Sequence, residues 1–148
     1  MSESTEQKIR TVEVDWEKDR LFAATNSEGS QIKLDVPKEK GGSGEGITPV
    51  ESVQAAAGAC TGIDLVNILT KMRQEMTSLK ITTETTQAPE HPMYFTSLKL
   101  IYRVEGKVEP NKLLKAIDLS LNKYCAVEAS LRPECVLSTE VYLNGAKI

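Results

Sequence analysis

A single histidine, His91, cannot supply a multi-histidine metal centre, and its place in the turn Pro89-Glu90-His91-Pro92 gives no Cys-His dyad. Three cysteines, Cys60, Cys125 and Cys135, are too few for a disulfide-stapled scaffold, and 148 residues fold without staples. Any pairing among them is chemical rather than structural. No run of Lys and Arg occurs: 18 basic and 21 acidic residues leave a net charge of −3. With a pI near 5.3, the chain lacks the electrostatic footprint that phosphate backbones or anionic lipid require, so nucleic acid is not an expected partner. No long uninterrupted apolar run occurs either. The most apolar stretch, 53–69, carries Gln54, Asp64 and Asn67, and no membrane segment is expected. Met1 to Arg10 is polar and mixed in charge, unlike a signal peptide, so the expected location is cytoplasmic.

What is present reads as one domain over 1–148, with 1–9 as a flexible N-terminus. Hydrophobic residues at 40%, charged residues at 26% and a mean hydropathy of −0.28 are ordinary globular values. Val12, Val14 and Trp16 alternate with Glu13 and Asp15, a period of two that predicts a half-buried strand, and a turn leads into Leu21 to Thr25. Ile32, Leu34 and Val36 alternate again until Pro37 stops the run. The stretch 38–47, with Gly41, Gly42, Gly44 and Gly46, reads as a mobile loop; its spacing is not that of a nucleotide-binding motif.

Thr48-Pro49-Val50-Glu51 is a helix start, with Thr48 as N-cap, Pro49 at the first helical position and Glu51 completing a capping box. A helix to about Gln74 follows. Val53, Ala57, Cys60, Asp64 and Lys71 share one side and Leu65, Leu69 and Met72 a second, so its middle is apolar almost all round and is expected inside. Ala55 to Ala59, with Gly58, let other backbone approach just before Cys60. Two strands, 79–87 and 94–105, form a hairpin with Leu98, Leu100, Tyr102 and Val104 on one face. Leu113, Ile117 and Leu121 predict a helix over 110–124, a short helical piece follows over 125–131, and a last strand sets Cys135, Leu137, Thr139, Val141 and Leu143 on its core face. The order is βββ-α-ββ-αα-β, an α+β class.

Among the cysteines, Cys60 alone reads equally well as a small buried hydrophobe. Cys125 opens a short helix, where free N–H groups and the dipole favour a thiolate. Cys135 reads as packing. Asp64, one turn after Cys60, needs a hydrogen-bonding or basic partner if buried.

Thr48-Pro49-Val50-Glu51, the Ala/Gly-rich turn, Cys60-Thr61-Gly62-Ile63-Asp64 and Lys123-Tyr124-Cys125-Ala126-Val127 together resemble the OsmC/Ohr superfamily, and within it the YhfA-like branch. The resemblance spans nearly the whole chain. It implies an intertwined homodimer in which antiparallel sheets wrap a long central helix, with thiol sites at the subunit interface. It also implies reduction of organic hydroperoxides, with Cys60 matching the attacking cysteine and Cys125 the resolving one, without metal or flavin. An external dithiol, such as a lipoyl group or a thioredoxin-like protein, would restore the thiols. The family pairs an arginine of the N-terminal hairpin with a glutamate at the helix start. Arg20 is the matching arginine, although an exposed hairpin charge accounts for it equally well. The usual glutamate position holds Val50, and the neighbouring Glu51 is the remaining candidate. The alternative is a non-catalytic dimer of the same fold that binds an apolar small molecule or a protein in its interface cleft. A thiolate metal site ranks below both, since the ligands lack metal-site spacing.

Overall fold

The computed structural model describes residues 6–148 and falls into two compact units, the chain up to Ser52 and Val53–Ile148. Of the expected flexible N-terminus, residues 1–5 lie outside the described residues; 6–11 carry no regular structure.

In the first unit, β1 (Val12–Lys18), β2 (Leu21–Asn26) and β3 (Gln31–Leu34) form an antiparallel sheet in chain order. Asp19 takes a left-handed φ of 46° in the first turn, where Trp16 Nε1 donates to its carbonyl at 3.0 Å. In the second turn Asn26 Oδ1 accepts from the amides of Glu28 and Ser30. The period-two pattern forms strands as expected, but β1 is exposed rather than half-buried. Trp16 pairs with Phe22 and Val14 with Ala24, which in turn faces Ile32; in the single chain this apolar face is open, with Trp16 68% exposed.

The glycine-rich stretch is wound around one buried carboxylate rather than left loose. Asp35 accepts from the amides of Val36 (2.7 Å), Ser43 (3.1 Å) and Glu45 (3.2 Å) and from the Ser43 hydroxyl (2.5 Å). The Ser43 hydroxyl is the leading cause that lowers its pKa to about 2. The turn closes so tightly that a Cβ at Gly42 would sit 1.9 Å from the Val36 carbonyl oxygen. The capping box then forms with both bonds: Thr48 N–H to Glu51 Oε1 at 3.0 Å and Glu51 N–H to Thr48 Oγ1 at 3.1 Å.

Helix α1 (Pro49–Lys71) ends three residues before the expected Gln74. Arg73 adopts φ 58°, and the Gln74 amide turns back to the Leu69 carbonyl at 2.9 Å. By length and composition alone α1 could cross a bilayer. Within the single chain it is buried along one side only: Ala57, Gly58, Thr61, Leu65 and Leu69 form a buried stripe, whereas the apolar Ile63 (62%) and Val66 (50%) are exposed. The expectation of burial all round therefore fails within one chain.

In the second unit, β4 (Glu75–Gln87) and β5 (Phe95–Lys107) make a long antiparallel hairpin, beginning four residues before the expected strand start because the helix stops early. After α2 (Pro110–Leu119), a π-turn (Ser120–Tyr124) and α3 (Ala126–Ala129), β6 (Val136–Leu143) returns parallel to β5, and β7 (Ala146–Lys147) adds a short antiparallel edge. The helical crossover is what permits the parallel pair. Leu98, Leu100, Tyr102 and Val104 of β5 are buried as predicted. The last three pack with Leu65 and Leu69 of α1, Leu113, Ala116 and Ile117 of α2, and Val141 and Leu143 of β6. The predicted core face of β6 holds only in its second half, since Leu137 and Thr139 are exposed.

Candidate functional site

The structure brings Cys60 and Cys125 together across 65 residues of sequence. Val127 and Leu131 of the α3 region pack with Ala57 of α1, Leu98 of β5 and Cys135. That seam seats the short helix against α1 one turn before Cys60. Cys125 and Glu128, three residues apart, share a neighbouring face. One ligand atom from each of Cys60, Cys125 and Glu128 lies within 4.8 Å of the other two. All three cysteines are free thiols; Cys60 is half-buried and Cys125 is buried.

The predicted 110–124 helix is interrupted to allow this. From Ser120 the backbone widens into a π-turn, closed by the Cys125 amide on the Ser120 carbonyl at 2.7 Å. Cys125 itself caps α3 with extended backbone (φ −77°, ψ 106°) and no side-chain capping bond. Contrary to expectation, α3 offers Cys125 little helix dipole, because its four residues hold too few peptides to sum into an appreciable field.

A buried hydroxyl chain ties the π-turn to α1 and β5. Ser120 Oγ lies 2.8 Å from Asp64 Oδ2 and 2.9 Å from Thr61 Oγ1, and Thr61 Oγ1 lies 2.9 Å from the Tyr102 hydroxyl. Ser120 carries one proton, which the carboxylate attracts most strongly, so Thr61 donates to Ser120 and Tyr102 to Thr61. Burial pushes the Tyr102 phenol up to about 12, which keeps it a donor. Asp64 thus has the partner that its position demands.

Glu128 is the site residue that sequence reading missed. It is buried, and neither carboxylate oxygen has a hydrogen-bond partner among the described residues. Burial raises its pKa, and the Asp64 charge adds to the shift. The Cys125-x-x-Glu128 spacing was visible in the sequence, but it acquires chemical meaning only when α1 delivers Cys60 beside it.

Cys135 sits one residue before β6, buried against Ala57 and Leu98, and desolvation raises its thiol pKa. Arg20 and Glu51 belong to the first unit. Arg20 lines a cavity of about 370 Å³ with Val14, Phe22, Leu34 and Asp35, its guanidinium against Gly41. Glu51 is engaged in the capping box, which also lowers its pKa. His91 is exposed in the β4–β5 turn.

The family model for OsmC-like proteins matches residues 42–140. YhfA of Escherichia coli K12 is 34% identical over 120 residues, covering 80% of this chain and 86% of YhfA. A hypothetical protein from Aquifex aeolicus VF5 superposes with a TM-score of 0.78 at 30% identity, covering 93% of this chain and 99% of that one. An organic hydroperoxide resistance protein from Elizabethkingia anophelis shares the fold, with a TM-score of 0.70 at 15% identity and coverage of 95% and 99%. A family match running from the glycine-rich turn through both clustered cysteines, together with a relative at this identity, places the chain in the OsmC-like family.

Proposed function

We propose that this protein is a thiol peroxidase that reduces organic hydroperoxides in the cytoplasm. The observation that carries the reading is the approach of the two free thiols, with Cys60 and Cys125 Sγ within 4.8 Å of each other. The Cys60 thiolate attacks the distal peroxide oxygen, forming a sulfenic acid and releasing the alcohol; Cys125 then displaces water to give a Cys60–Cys125 disulfide. Disulfide formation requires the sulfurs to close from this separation to a bond of about 2.05 Å. Half-buried Cys60 is the thiol a peroxide can reach, and buried Cys125 is shielded until sulfenic acid forms beside it. Solved relatives named as organic hydroperoxide resistance proteins share this fold. An external dithiol, a lipoyl group or a thioredoxin-like protein, would reduce the disulfide. Arg20 is the proposed cation beside the thiolate. Glu51 is the weaker catalytic candidate, since its carboxylate already serves the helix cap.

The working form is proposed to be a homodimer. The open apolar faces of β1–β3 and of α1 at Ile63 and Val66 are what a second copy would cover.

Stopped-flow mixing with cumene hydroperoxide, followed by non-reducing peptide mapping, tests the peroxidase. Fast, saturable loss of two thiols per chain with a Cys60–Cys125 peptide and reduced Cys135 is the expected result. Cys60→Ser should abolish peroxide consumption, and Cys125→Ser should allow one turnover and leave a dimedone-reactive sulfenic acid. Inertness toward hydroperoxide would instead favour a non-catalytic binding dimer. The feature on its side is Val50 at the usual glutamate position, with Glu51 occupied elsewhere.

A further inference from the structure

We infer that Cys60, Cys125 and Glu128 form a binding site for a thiophilic divalent cation such as zinc, which uses the same two thiols as the proposed peroxide reaction but does not depend on that reaction. Three observations converge. The ligand atoms of two thiols and one carboxyl lie within 4.8 Å of one another, although they come from two elements far apart in sequence. Both Glu128 oxygens are buried without a hydrogen-bond partner among the described residues, an arrangement that proteins rarely leave uncompensated. Cys60 is only half-buried, so one of the three ligands is not sealed inside the core.

Donor chemistry selects the ion. Two sulfurs favour soft or borderline cations such as zinc or cadmium and disfavour magnesium and calcium, which require oxygen shells. Tetrahedral zinc, with bonds of about 2.3 Å to sulfur and 2.0–2.2 Å to oxygen, places its ligand atoms about 3.5–3.8 Å apart. Side-chain rotation of an ångström or less contracts the observed cluster to that size. Two thiolates and a carboxylate carry −3, so a divalent ion leaves −1 on the site, and the fourth position stays open to water. Binding releases the protons held by the three ligands, and affinity falls as pH is lowered. Asp64 also acts on the cluster through its charge, which is felt at Glu128. Its carboxylate is held by Ser120, one helical turn beyond Cys60, and its negative charge favours a cation further.

Cobalt reports the ligands directly. Titrating the reduced full-length chain with Co²⁺ should give one ion per chain with a thiolate-to-cobalt charge-transfer band, which stoichiometric Zn²⁺ bleaches and millimolar Mg²⁺ does not. Cys135→Ser should leave the band and the affinity unchanged. Cys125→Ser should weaken binding by about 100-fold or more, and Glu128→Gln by about tenfold or more with the charge-transfer band retained. Glu128→Gln preserves volume, so circular dichroism and Tm matching the parent would show that the loss is one of ligation rather than folding. An absent charge-transfer band, wild-type affinity in Glu128→Gln, or loss of binding in Cys135→Ser would each overturn the site. The titration uses no peroxide, so its outcome is independent of the peroxidase reading. A chain that binds zinc but ignores hydroperoxide sustains this site and sinks that reading, and the converse result sinks only the site.

Discussion

Replacing Thr61 by Val should cost more than removing the phenol that bonds to it, and the double replacement should recover part of that cost. Thr61 sits mid-chain between the Tyr102 and Ser120 hydroxyls, 2.9 Å from each, and both Thr61 and Tyr102 are fully buried. Thr61→Val leaves the Tyr102 O–H without an acceptor and Ser120 without its donor. An orphaned buried polar group costs about 1–3 kcal/mol, so a loss of about 2–3 kcal/mol is expected. Tyr102→Phe removes only the terminal donor, and Thr61 continues to bond Ser120; its expected cost is about 1 kcal/mol. In the double variant both partners become apolar groups of similar shape while Ser120 keeps Asp64. It should be about 1–2 kcal/mol more stable than Thr61→Val alone. Urea unfolding at fixed protein concentration, with unchanged m-values, measures all three. Additivity within about 0.5 kcal/mol, or a Thr61→Val cost no larger than that of Tyr102→Phe, would refute the chain as described. An alkaline arm checks the same phenol. Its pKa is raised from 10.0 to about 12 in the folded state, so stability is full below pH 10 and declines as pH rises toward 12. The loss amounts to about 3 kcal/mol in all, and Tyr102→Phe should lack it.

Asp35, lowered to about 2 by the Ser43 hydroxyl and the loop amides, stabilises the glycine-rich turn above its unfolded pKa, and that contribution fades as pH falls from about 4 toward 2. Asp35→Asn should open this turn to limited proteolysis at neutral pH; cleavage no faster than in the parent would count against the clamp. Thr48→Ala should cost about 1 kcal/mol in thermal or urea unfolding through loss of the cap. Glu51→Gln, which can still complete the box, should leave peroxide turnover nearly intact, while Arg20→Ala should reduce it strongly. Equal large losses from both, with helix stability unchanged, would assign Glu51 to the chemistry. Sedimentation equilibrium at micromolar concentration should give a dimer, and a stable folded monomer would contradict the cover proposed for the apolar faces.

Period-two alternation at Val12–Trp16 and Leu98–Val104, the Thr48–Glu51 capping box and the four-residue spacing of Leu113 and Ile117 are local patterns, and they determined strands, helix start and element order without tertiary help. Chain position by itself marked only Cys125; Cys60 was marked by the family resemblance that the motifs around both cysteines carry. Where the chain departs from its pattern, a nonlocal or close-range contact decided. Arg73 stops α1 early, Asp35 gathers a loop whose glycines otherwise signal freedom, and Ser120 widens a helix into a π-turn to seat Cys125. Glu128 shows the limit most plainly. A carboxylate between Val127 and Ala129 on a short helix reads as solvated surface, because charged groups are rarely buried without a partner. Only packing of Val127 and Leu131 against Ala57 and Leu98 turns it inward, next to a thiol 68 positions away in sequence. Burial of that kind depends on how helices and sheet meet, a property of the assembled core that no window of sequence contains.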